Sequence, residues 1–138
     1  MNSEMKYTFK AQGHPNILAT HRTTLEITKD SELTKKGDCI IAVGADFSLQ
    51  LIKELVGSCQ NGDKIGLIIE AAGMKENIVA VVNKKFSSDK EIVLRKGSFT
   101  SERTLGISAD KAATGFKREL VEKLKSTDCA VSVTIEAL

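Results

Sequence analysis

Apolar and polar positions alternate along the first thirty residues. In KYTFKAQ, residues 6–12, Tyr7, Phe9 and Ala11 fall on one face, the period-two pattern of a half-buried strand. Residues 16–28 alternate again. Ile17, Ala19, Leu25 and Ile27 share one face, and Thr20, Arg22, Thr24 and Glu26 share the other. The intervening GHPN holds Pro15 and Asn16, both turn formers, so the pattern predicts a hairpin. His21 and Thr23 interrupt the apolar face of its second strand. A short apolar strand is predicted at CIIAVGA, with Asp46 as N-cap of a helix through LQLIKELV that Gly57 closes. QNGDK then turns the chain into the strand KIGLIIEA.

The same order recurs in the second half. IGLIIEAAG, a turn at MKEN, a strand at NIVAVVNKK and a polar link lead to a turn at RKG. The strand TLGISA, Asp110, the helix FKRELVEKLK and the strand AVSVTIEA follow. Identities fall in register: Gly13 on Gly73, Asn16 on Asn77, Ala45 and Asp46 on Ala109 and Asp110, and Glu54 to Val56 on Glu119 to Val121. An internal duplication is expected, with repeat one at about 6–63 and repeat two at about 64–138. The fold class is α+β: one compact domain over residues 1–138, with pseudo-twofold symmetry. It has about seven strands in a mixed, mostly antiparallel sheet and two helices. Each strand-helix-strand passage favours a parallel crossover. Closure into a barrel is not readable from the pattern.

Matching positions in two copies meet similar packing, so differences between them point to chemistry. This register sets His21 against Val82, and an unpartnered buried imidazole costs on the order of 1–3 kcal/mol. Two explanations stand: a core histidine satisfied by a carbonyl or by Thr23, and a pocket opened in the first copy. In a pocket, an imidazole suits acid, base or hydrogen-bond work near neutral pH. Thr23 on the same face, and Asp38 and Cys39 on the incoming strand, would complete the catalytic group. His14 and Asn16 in the turn, Thr24 and Glu26 on the opposite face, and Asp46, Asp110 and Lys111 before the helices are candidate ligand-binding residues.

Composition narrows the field. Of 138 residues 41% are hydrophobic and 28% charged, and 20 basic against 18 acidic side chains leave a net charge of +2. That is an ordinary globular composition without a concentrated basic footprint, so nucleic acid is not favoured as a partner. The basic turns TKKG and LRKG recur at equivalent places and keep open a rival role, in which RNA or a protein docks on them and on His14. A third role makes the asymmetric face a homo-oligomer interface. No apolar run approaches a membrane span, and MNSEMKYTFK lacks a signal-peptide core. Met1 to Glu4 look like a polar tail. Three scattered cysteines without a CxxC pair fit a reducing cytoplasm. No metal site is expected: within one hairpin His14 and His21 would stand about 15–20 Å apart. No P-loop or GxGxxG fingerprint is present, and the cofactor stays unknown.

The runs GHPNILATHRTTLEIT, LTKKGDCIIAVGAD and RTLGISADKAA resemble an uncharacterised archaeal family, a domain of unknown function. The likeness spans nearly the whole chain. It implies that Gly13, His14, Asn16, Ala19, Thr20, His21, Thr23, Thr24 and Glu26 match signature positions, with Gly37, Asp38, Cys39, Asp46, Ala109, Asp110 and Lys111. In the first half Phe47 stands where the second has Lys111, so a paired role for that lysine is absent there. The resemblance brings no activity. The residues favour a small ligand-binding or catalytic domain with its site around His21.

Overall fold

The computed structural model describes residues 5–138; the polar start at residues 1–4 lies outside the described residues. Eight strands and two α-helices form one α+β unit. The strands are β1 (Lys6–Gln12), β2 (Thr24–Thr28), β3 (Ile40–Ala42), β4 (Lys64–Ala71), β5 (Met74–Val82), β6 (Glu91–Arg95), β7 (Thr104–Ile107) and β8 (Ala130–Ala137). Helix α1 (Leu49–Gly57) lies between β3 and β4, and α2 (Arg118–Leu124) between β7 and β8, preceded by a 3-10 turn at Ala113–Gly115. All strands join one sheet in the order β1-β8-β4-β5-β7-β6-β2-β3. Its ladders are antiparallel except β2 with β3 and β6 with β7. These parallel pairs are joined by loops, and neither helix links neighbouring strands, so the expected helical crossovers do not occur.

The sheet curls until its two edges touch. Gln12 and Val43 exchange two backbone hydrogen bonds of 2.8 Å each, but no ladder extends from that bridge and the barrel is not closed. Phe9, Ile27, Ile41, Leu67, Ile69, Ile92, Val133 and Ile135 fill the interior, each at most 3% exposed. Helix α1 buries Ile52, Leu55 and Val56, the one-sided spacing that a helix on a sheet requires. Ser48, not Asp46, caps it, accepting from Leu51 N at 3.2 Å.

Three further expectations are corrected. The predicted hairpin of residues 6–28 does not form: β1 pairs with β8, and only residues 24–28 of the second run are a strand. The MKEN turn lies inside β5. The chain reverses instead at Ala72 and Gly73, whose φ angles of 52° and 77° suit a two-residue hairpin turn. Finally, β6 occupies the stretch expected to be a polar link.

The order strand-strand-strand-helix-strand occurs twice, as β1-β2-β3-α1-β4 and as β5-β6-β7-α2-β8. Asp46 and Asp110 hold equivalent places. Asp46 Oδ1 accepts from Lys10 N at 2.8 Å, and Asp110 Oδ1 from Val79 N at 3.0 Å. Each backbone amide returns a bond, to Lys10 O and Val79 O. By this geometry β1 corresponds to β5. The matching of His21 with Val82 therefore fails, because Val82 ends a strand while His21 lies in an irregular passage before β2.

Candidate functional site

The segment from Gly13 to Thr23 alternates in sequence yet is not a strand, because it lies along α2. His14 N donates to Leu124 O at the end of that helix. Arg118 at its start donates to Ala19 O at 2.9 Å, and Thr114 N donates to His21 O. A Cβ at Gly13 would stand 2.3 Å from Leu124 O and 2.4 Å from Ser126 O, so this approach admits only glycine. Ala19, fully buried, turns the chain through a left-handed φ of 50°. The apolar positions Ile17 and Ala19 are thus buried, as the pattern requires, without a strand.

His21 stands near the end of this passage, three residues before β2 begins at Thr24. Its Nδ1 accepts from the backbone amides of Thr23 at 3.2 Å and Thr24 at 3.1 Å. In the neutral ring the proton then sits on Nε2, and the imidazole can donate but not accept there. A general-base role would require both backbone bonds to break. Asp38 anchors the same turn through its carbonyl, which accepts from Thr20 N and His21 N at 3.0 and 3.2 Å.

Beyond the turn, alternation along β2 places Thr24, Glu26 and Thr28 on the face away from the core, all under 9% exposed. Glu26 accepts from the Cys39 thiol at 3.6 Å, and Arg103 stands 3.9 Å from Glu26 and 3.0 Å from Glu91. Burial, reinforced by the Glu91 charge, raises the Glu26 carboxyl above its ordinary range. Burial and the Glu26 carboxylate push the Cys39 thiol up to about 12. A thiol so held stays protonated and is a hydrogen-bond donor, not a nucleophile. Among the described residues no buried side-chain nitrogen or oxygen lacks a partner.

The face becomes accessible at its other end. Thr24 pairs with Arg95 across the β2–β6 ladder, and Lys96 N donates to Thr23 O at 2.9 Å. Thr23, Thr24, Arg95, Gly97, Ser98 and Phe99 line a cleft of about 290 Å³. Arg95 Nε donates to Thr104 Oγ1 at 3.4 Å, while its two terminal nitrogens make no hydrogen bond or ion pair among the described residues. Its guanidinium lies 5.0 Å from the centre of the Phe99 ring. The turn LRKG therefore forms one wall of the cleft.

His21, Thr23, Thr24, Glu26, Asp38 and Cys39 are thus brought together. The other candidates are elsewhere and engaged. His14 Nδ1 accepts from Asn16 N at 3.0 Å, and Asn16 Nδ2 donates to Leu33 O at 2.8 Å. Asp46 and Asp110 fasten strands. Lys111 pairs at 2.5 Å with Glu76, a carboxylate 2% exposed that also accepts from Lys117 N at 2.6 Å. Burial alone would raise the Glu76 carboxyl; the Lys111 ammonium and the Lys117 amide outweigh it and hold the group below its ordinary value.

A family model described as a domain of unknown function (DUF371) matches residues 9–138. The chain belongs to this family. An uncharacterised protein of Methanocaldococcus jannaschii is 41% identical over 124 residues, covering 88% of this chain and 92% of the relative. In this DUF371 member no helix among the described residues is long and apolar enough to cross a membrane. Arg95, Phe99, Arg103, Glu76 and Arg118 were not singled out by sequence. Only the basic LRKG turn pointed toward one of them.

Proposed function

We propose that this DUF371 protein binds a small anionic ligand in the cleft between Thr23–Thr24 and Arg95–Phe99. The observation that carries this reading is Arg95. Its terminal nitrogens are without partners among the described residues, and no carboxylate is among the cleft's lining residues. A guanidinium presents paired N–H groups that match the oxygens of a phosphate or carboxylate in two parallel bonds. Thr23 and Thr24 add hydroxyls within 3.4 Å of each other, and His21 holds the backbone of both. Binding, more than chemistry, suits this set. The histidine is turned into a donor and the thiol is held protonated. The test is thermal unfolding in inorganic phosphate against chloride at matched ionic strength. A native-state ligand raises the midpoint with concentration. The expected result is a saturable rise in the native protein that Arg95→Gln abolishes; equal curves in phosphate and chloride would refute the role.

A further inference from the structure

The chain has one Tyr and five Phe. Four of the five are core residues: Phe9 at 3%, Phe47 and Phe116 at 2% and Phe86 at 1% exposed. Phe99 is 66% exposed, on the loop after β6, beside Arg95 in a cleft where the terminal nitrogens of that arginine are free among the described residues. Burial does not explain a phenyl ring there. Stacking does. Guanidinium and phenyl planes both layer well with flat π-systems, and a base beside a phosphate offers both partners together.

We infer that the ligand of this cleft is a nucleotide unit, its base stacked on the Phe99–Arg95 platform and its phosphate held by the terminal nitrogens of Arg95. This deepens, and rests on, the anion-binding role proposed above. The volume of about 290 Å³ suits one such unit, not an extended ligand. Thr23 and Thr24 hydroxyls, which donate and accept, are placed to meet a base edge or a ribose. Two sources share the chemistry: a free mononucleotide and one residue of single-stranded RNA.

The experiment measures binding of AMP, GMP, CMP and UMP, of a hexauridylate and of inorganic phosphate, by calorimetry at two salt concentrations. Native protein, Phe99→Ala and Arg95→Gln are compared, with circular dichroism checking that each variant is folded. At least one mononucleotide should bind about tenfold or more tighter than phosphate, in keeping with the worth of one stacked base. Phe99→Ala should lose that margin and keep its phosphate affinity; Arg95→Gln should lose both. Hexauridylate exceeding UMP, with an affinity falling steeply in salt, identifies an RNA strand as the source. Equal affinity per unit identifies the free nucleotide. Nucleotides no tighter than phosphate, or unaffected by Phe99→Ala, would overturn the stacking inference and leave the anion site standing. If neither phosphate nor nucleotide binds the native protein, the anion site falls as well.

Discussion

Replacement of His21 separates its role as a fastener from any role in chemistry. The ring accepts two backbone hydrogen bonds, at 3.2 and 3.1 Å, that join the end of the 13–23 passage to β2. Each such bond contributes roughly 0.5–1.5 kcal/mol net, and the half-buried position lets water recover part of the loss. His21→Val should therefore destabilise the protein by about 1–2 kcal/mol, the size of a lost helix cap. For a chain of 138 residues that is a fall in midpoint of about 3–6 °C. His21→Asn keeps a side-chain oxygen that can accept from amides two and three residues ahead, and should restore most of the difference. Calorimetry on the three proteins, with urea unfolding as a second measure, gives the comparison. Thr23 and Thr24 are freed together in the valine variant, so its response to phosphate should weaken too. A valine variant as stable as the native protein, or an asparagine variant no better than valine, would refute this account of the ring.

Glu76→Gln leaves Lys111 and the Lys117 amide facing a neutral side chain, and should cost about 2–3 kcal/mol at pH 7 by urea unfolding. Since the Glu76 carboxyl is lowered in the folded state, its contribution is present above the ordinary glutamate range and lost as pH falls through the folded value. The gap between native and variant should therefore shrink at pH 3; a gap independent of pH would contradict the ion pair. Cys39, with its thiol pushed up to about 12, should resist iodoacetamide at pH 8 at least tenfold more than in urea, as read by peptide mass mapping. Fast labelling of the folded protein would show a thiolate. Gly13→Ala puts a methyl group on two backbone oxygens and should destabilise by about 1–3 kcal/mol, since backbone must move. An unchanged melting curve would mean that the chain does not pass the end of α2 this closely.

Period-two alternation was a sound guide where a strand has one buried face. Residues 6–12, 64–71 and 130–137 were each placed as strands with the observed bounds. It misled at 16–23, where Ile17 and Ala19 are buried in the core of an irregular passage lying along α2 and not on a sheet. It was blind at β6 for the opposite reason. Ile92, Val93 and Leu94 are all at most 1% exposed, so a strand covered on both faces shows a short apolar run without alternation. That omission also hid the site. The β2–β6 ladder brings Arg95 against Thr24 from seventy residues away, and no local pattern carries a pairing of that kind. His21, Thr23, Thr24, Glu26, Asp38 and Cys39 were legible because they interrupt or flank apolar runs. Phe99, in a polar loop, had no such frame.

Buried polar residues on the outer face of β2 pose a question that the cleft answers. Thr24, Glu26 and Thr28, with Thr104 at the start of β7, are each under 9% exposed, and desolvating such groups without partners is unfavourable. Here each has a partner: Thr24 shares a hydroxyl contact of 3.4 Å with Thr23, Thr28 accepts from Asp30 N, Thr104 from Ser101 N and Arg95, and Glu26 from Cys39. A network closed in this way makes a rigid support, with nothing left over inside it to bind a substrate. Arg95 links it to the cleft. The Nε bond to Thr104 fixes the guanidinium on one side, while Arg95 lines the cleft beside Phe99 with its terminal nitrogens free among the described residues. An arginine held by one nitrogen has lost part of its rotamer freedom before any ligand arrives, which favours binding. It follows that Thr104→Val, remote from the ligand, should weaken phosphate binding by loosening Arg95 while leaving the cleft's lining intact. Unchanged affinity in that variant would mean that the guanidinium is positioned by Phe99 alone.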